Sequence, residues 1–141
     1  MKSIGELSSP LTLPATAGAC VLVVDDETAI RRFAVRVLER EGYAVVEARD
    51  GMEALEQIKQ AGTSVEVVVS DIVMPRLNGV ELMQVLSVSH PDLPVILMSG
   101  YATGTLAELG IAAPCAILSK PFQSEQLLEE VRRCIGLRNR K

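Results

Sequence analysis

The chain has 141 residues, 48% hydrophobic and 23% charged, with a net charge of −4 at neutral pH. That is enough chain for one domain with a real core, and too apolar a composition for a disordered segment. The acidic balance and the lack of any long Lys/Arg run argue against a nucleic-acid-binding surface, and no apolar run approaches the ~20 residues that cross a bilayer.

Residues 1–18 are rich in Ser, Thr, Pro and Gly, as in Ser8-Ser9-Pro10, and read as a flexible tail or linker ahead of a folded domain over 19–141. From Cys20 onward, strand and helix patterns alternate. The first strand is Cys20-Val21-Leu22-Val23-Val24, running into Asp25-Asp26. A helix follows, with Ile30, Phe33, Ala34, Val37 and Leu38 on one face and Gly42 closing it. Tyr43 to Glu47 reads as a short second strand. The second helix starts at Asp50-Gly51, with Met52, Leu55 and Ile58 inward, and ends near Gly62.

The third strand runs from Val65 into Asp71. A loop with Pro75 and Asn78-Gly79 leads to a third helix carrying Val80, Leu82, Met83 and Leu86. Val95-Ile96-Leu97-Met98 is the fourth strand and ends at Ser99. A short fourth helix is expected over roughly 103–109. Cys115-Ala116-Ile117-Leu118 is the fifth strand, ahead of Lys120-Pro121, and the last helix covers about Ser124 to Ile135. Five such β-α units call for an α/β domain: a parallel sheet with helices on both faces. With no Trp, two Phe and two Tyr, its core has to be aliphatic.

Cys20, Cys115 and Cys134 are odd in number, widely spaced, and carry no metal-binding spacing. They are expected to be small buried hydrophobes in a reducing compartment. The N-terminus lacks a charged-then-apolar leader pattern, so a cytoplasmic location and no membrane association are expected.

The apolar runs are those of buried parallel strands, and ligands of open α/β sheets bind at the carboxyl ends of the strands. Asp25, Asp26, Asp71, Ser99 and Lys120 each follow such a run. Three carboxylates, one hydroxyl and one amine would therefore converge on one edge. That set suits a divalent cation and a phosphoryl group. Taken singly, each residue also has a plainer reading. Asp25 and Asp26 would favour the N-terminus of the first helix, Asp71 would cap a turn, Ser99 would cap a helix, and Lys120 would be an ordinary surface charge.

The segments Val23-Val24-Asp25-Asp26-Glu27, Ser70-Asp71-Ile72-Val73-Met74-Pro75, Leu77-Asn78-Gly79, Met98-Ser99-Gly100 and Ser119-Lys120-Pro121-Phe122 occur in this order. With them, the stretch from Cys20 to about Gly136 resembles a response-regulator receiver domain, of the chemotaxis-regulator type. The resemblance implies a doubly wound, flavodoxin-like sheet of five strands in the order 2-1-3-4-5 with five helices. It implies Asp71 as phosphoacceptor, Ser99 as the hydroxyl that bonds the phosphoryl group, and Lys120 as the amine that pairs with Asp71 and then with phosphate. It implies Mg²⁺ (or Mn²⁺) held directly by Asp26, Asp71 and the backbone carbonyl of Val73, with Asp25 acting mainly through water. It also implies a cis bond before Pro121. One departure stands out: the strand-five position that often carries an aromatic switch residue is Ile117, and Tyr101 is the nearest aromatic to Ser99.

The function so implied is a two-component phosphoacceptor switch. A histidine kinase or histidine phosphotransfer domain donates the phosphoryl group to Asp71. A downstream partner then reads the face made by the fourth helix, fifth strand and last helix. Such a domain catalyses its own phosphorylation without turning over a separate substrate, as a monomer or weak dimer. The alternative context is a receiver belonging to a hybrid sensor histidine kinase, with the same chemistry. Two further readings are an aspartyl-phosphate phosphatase and an interaction domain that is never phosphorylated. Against the first, the position two beyond Asp25 is Glu27 and no cap domain is present; against the second stands the intact five-residue set. A dinucleotide-binding enzyme is a weaker reading still, since no Gly-x-Gly-x-x-Gly follows the first strand.

Overall fold

The computed structural model describes residues 19–61, 64–100 and 113–139. Its five strands are β1 (Cys20–Val24), β2 (Ala44–Ala48), β3 (Val65–Asp71), β4 (Val95–Ser99) and β5 (Ala116–Ser119). They form one parallel sheet in the order β2-β1-β3-β4-β5, as the resemblance implied. Among the described residues four helices alternate with them: α1 (Thr28–Arg40), α2 (Gly51–Ala61), α3 (Gly79–Ser89) and α4 (Ser124–Asn139). The helix expected over roughly 103–109, Tyr101 and the tail over 1–18 lie outside the described residues.

Each central strand is apolar because both of its faces are covered. Val21 and Val23 of β1 join Val67, Val69, Ile96 and Met98 beneath α1 and α4, where Leu38, Leu127 and Val131 meet them. The intervening Leu22 and Val24 join Val68 and Leu97 on the other face, under Ile58 of α2 and Leu82 and Leu86 of α3. The two-residue alternation of strands thus feeds two separate cores. A fully buried leucine such as Leu22 contributes about 1.5–3 kcal/mol.

Helix ends follow local chemistry. Gly42, at φ 95°, turns the chain out of α1 in the left-handed region. Asn78 caps α3 by accepting from the Glu81 N–H at 2.8 Å, while the Glu81 carboxylate accepts from the Asn78 N–H at 2.9 Å. Gly79 sits where a side chain cannot: a Cβ there would lie 2.2 Å from the Asp71 carbonyl oxygen. Its small size lets the start of α3 press against the end of β3.

Three expectations fail. Phe33 and Met52, read as core residues, are 41% and 46% exposed. Ala34 and Ala54 take the inward positions beside them, and Phe33 instead meets Phe122 in a tilted contact with ring centroids 6.0 Å apart. Cys115 and Cys134, read as reduced thiols, form a disulfide; the fold sets the residue before β5 against the inner face of α4, with Cα atoms 6.2 Å apart. Cys20 remains a buried thiol.

Candidate functional site

Parallel pairing brings every strand's carboxyl end to the same edge. Asp71 is the last residue of β3 and Ser99 the last of β4, while Asp25 and Lys120 lie one residue beyond β1 and β5. The register couples them: Val24 pairs with Ser70, Asp71 with Met98, and Ser99 with Ser119. Backbone bonds continue past the ladder, from the Asp25 N–H to the Ala48 carbonyl and from the Lys120 N–H to the Ser99 carbonyl. The five residues singled out from the sequence therefore stand on one rim.

Carboxylate oxygens of Asp25, Asp26 and Asp71 lie within 4.8 Å of one another, a group able to hold a metal ion. Asp25 and Asp71 are buried, whereas Asp26 is exposed. The Lys120 ammonium lies 3.2 Å from Asp71 Oδ2 and 3.3 Å from Asp25 Oδ2, with Glu27 Oε1 at 3.7 Å. The bond from Lys120 to Pro121 is cis. Ser99 is buried and lines the same cleft as Asp26, Asp71, Val73, Gly100 and Lys120. Val73 is 57% exposed.

Electrostatics favour an added cation here. Burial pushes the Asp25 carboxyl above its usual range and the Asp71 charge pushes it further, against the Glu27 N–H and Lys120. Burial likewise raises Asp71, opposed by Lys120 and the Val73 N–H, with Asp26 adding to the rise. Burial lowers Lys120, but the charges of Asp25 and Asp71 outweigh it and hold the amine above its usual value. One ammonium thus compensates three clustered carboxylates incompletely, and oxygen-only donors of this kind suit a hard divalent ion.

The family profile for the response regulator receiver domain matches residues 21–132. The chain belongs to this family. That places the receiver in two-component signalling, a family of phosphoacceptors that work with histidine kinases or phosphotransfer proteins. It is 43% identical over 118 residues to the sensor kinase CckA of Brucella abortus (strain 2308), covering 83% of this chain and 12% of the kinase. To the response regulator receiver protein CpdR of the same organism it is 31% identical over 116 residues, covering 82% of this chain and 95% of CpdR. The receiver domain from the hybrid histidine kinase CckA superposes with a TM-score of 0.69 at 33% identity, over 82% of this chain and 98% of that one. Other curated relatives are matched over about half of their own length, 48%. No helix among the described residues is long and apolar enough to cross a membrane.

Three charged residues carry contacts beyond the sequence reading, which named Asp50 only as the start of the second helix. Asp50 caps α2 through the Glu53 N–H and takes a two-pronged ion pair from Arg76, whose φ of 68° turns the loop after β3 toward it. Arg76 thereby holds the Asp50 carboxyl below its usual range. The third is Arg31, buried although it is charged. An Asp directly before a Gly-led helix signals the cap, but nothing in the sequence signals either arginine's distant partner.

Proposed function

We propose that this receiver takes a phosphoryl group from a phosphohistidine onto Asp71 and so switches a partner-binding surface. The observation that carries the reading is the Lys120 ammonium set between Asp71 and Asp25 in a three-carboxylate cluster on the rim. Asp71 Oδ attacks phosphorus while the P–N bond breaks and its electron pair returns to the imidazole. Lys120 moves from carboxylate to phosphoryl oxygen, and the Ser99 hydroxyl donates to another. Asp26, Asp71 and the Val73 carbonyl would hold Mg²⁺, with Asp25 contributing mainly through water. When bound, Mg²⁺ supplies positive charge to the phosphoryl oxygens.

Phosphorylation adds charge beside Ser99, draws the hydroxyl inward, and biases a two-state surface next to β5. The similarity to a sensor kinase favours a phosphorelay, with a histidine kinase or phosphotransfer domain as donor and a hybrid-kinase context for the domain. Such a donor belongs with a cytoplasmic location. No turnover of a separate phosphate ester is expected.

Binding of fluoroberyllate with Mg²⁺, read by ¹⁹F NMR, tests the assignment. Wild type gives a bound resonance that requires Mg²⁺, and Asp71→Asn gives none. A bound resonance that persists in Asp71→Asn refutes the assignment.

A further inference from the structure

Arg31, in the second turn of α1, is 9% exposed, and its charge calls for partners. Both of its bonds reach out of the helix. Nη1 donates to the main-chain carbonyl of Asp25 at 2.8 Å, in a buried setting. Nε donates to Glu47 Oε1 on β2 at 3.0 Å. The exposed Arg32 takes the other oxygen of Glu47 at 3.1 Å.

The location of that carbonyl gives the bond its meaning. The β1–β2 ladder ends at Val24 and Ala48. One residue further on, the Asp25 N–H still reaches the Ala48 carbonyl at 3.1 Å, and the Asp25 carbonyl is the acceptor that Arg31 takes. That carbonyl belongs to the peptide unit joining Asp25 to Asp26. Rotating the unit would swing the two carboxylates relative to each other and to Asp71.

We propose that Arg31 is a positioning residue for the acidic rim: its buried bond to the Asp25 carbonyl fixes the Asp25–Asp26 peptide, and with it the approach of both carboxylates to the divalent ion. This rests on the reading of Asp25, Asp26 and Asp71 as a cation site. Glu47 has two parts in the arrangement. It orients the guanidinium, and it offsets a positive charge that would otherwise repel the ion from behind the ligands. Groups that support metal ligands in this way typically alter affinity by about 10–100-fold when removed.

The sign of the effect separates positioning from charge. Arg31→Met deletes a cation near a dication site, so charge alone predicts tighter metal binding, and positioning predicts weaker. Arg31→Lys keeps the charge but loses the fork that bridges Glu47 and the carbonyl. The probe is Mn²⁺, with the free ion counted by electron paramagnetic resonance on the full chain. ¹H–¹⁵N spectra and Tm monitor the fold.

Wild type binds one Mn²⁺; its failure to do so would refute the cation-site reading itself. Given that binding, both Arg31 variants are expected to weaken Mn²⁺ about tenfold or more. Glu47→Gln leaves the Asp25 carbonyl bond available and is expected to weaken binding about threefold or less. Tighter or unchanged binding in Arg31→Met overturns the inference. Should that variant not fold, Arg31→Lys decides alone: weaker binding supports positioning, and a lowered Tm with unchanged binding makes Arg31 structural only.

Discussion

Gly79→Ala tests how tightly α3 is coupled to the phosphoacceptor. The new methyl carbon would lie 2.2 Å from the Asp71 carbonyl oxygen and 3.0 Å from both the Asp71 carbonyl carbon and Ile72 Cα. All three are backbone atoms at the end of β3, so no side chain can rotate out of the way. Relief needs a shift of roughly 1 Å, and overpacking of this kind typically costs about 1–3 kcal/mol. The Gly79 N–H also donates to the Ile72 carbonyl at 3.0 Å. Losing that bond adds about 1 kcal/mol. The expected destabilisation is therefore about 2–4 kcal/mol by urea denaturation. The shift falls on the residue that reacts, and misplacement by about 1 Å can slow a reaction ~100-fold. Phosphorylation by acetyl phosphate, followed by intact-mass spectrometry, is expected to slow on that scale. Gly136→Ala serves as the control. That glycine lies inside α4 with nothing within 4 Å of a Cβ, and alanine there is expected to stabilise by roughly 0.5–1 kcal/mol. A Gly79→Ala protein as stable and as fast as wild type would refute the coupling.

Three further outcomes are expected. Lys120→Ala removes the ammonium that shares the rim with the cation, so Mg²⁺ affinity rises roughly fivefold, from about 1 kcal/mol of lost repulsion, while phosphorylation slows; weaker Mg²⁺ binding by calorimetry would contradict this. The aspartyl-phosphate is expected to be long-lived, because the Val73 side chain at the cleft mouth cannot hydrogen-bond a hydrolytic water. A Val73→Asn, Tyr101→Glu double mutant loses phosphate faster, and equal decay rates would sink the idea. Reduction, or Cys134→Ser, opens the cross-link between residues 19 apart and costs about 3 kcal/mol; an unchanged Tm in dithiothreitol would show that it contributes nothing.

The strands, the two-face core and the rim were legible because they depend on local pattern. Four of the apolar runs end beside Asp25, Asp71, Ser99 or Lys120, and parallel pairing alone carries those residues to one edge. What depends on distant partners was not legible. Arg31 drew no reading from the sequence because its acceptors, the Asp25 carbonyl and Glu47, are a main-chain atom and a residue 16 positions away. Cys115 and Cys134 read as buried thiols because a separation of 19 residues says nothing of which face of α4 meets β5. Phe33 fits the apolar stripe of α1, yet it sits at the stripe's edge, where Phe122 half covers it.

The central claim is that Asp71 is the phosphoacceptor. Its most direct test is incubation of the native protein with acetyl phosphate and Mg²⁺, with intact-mass spectrometry and peptide mapping of the adduct. The account predicts one added phosphoryl group per chain, located on Asp71, dependent on Mg²⁺ and absent from Asp71→Ala. Full stoichiometric phosphorylation of Asp71→Ala would contradict it.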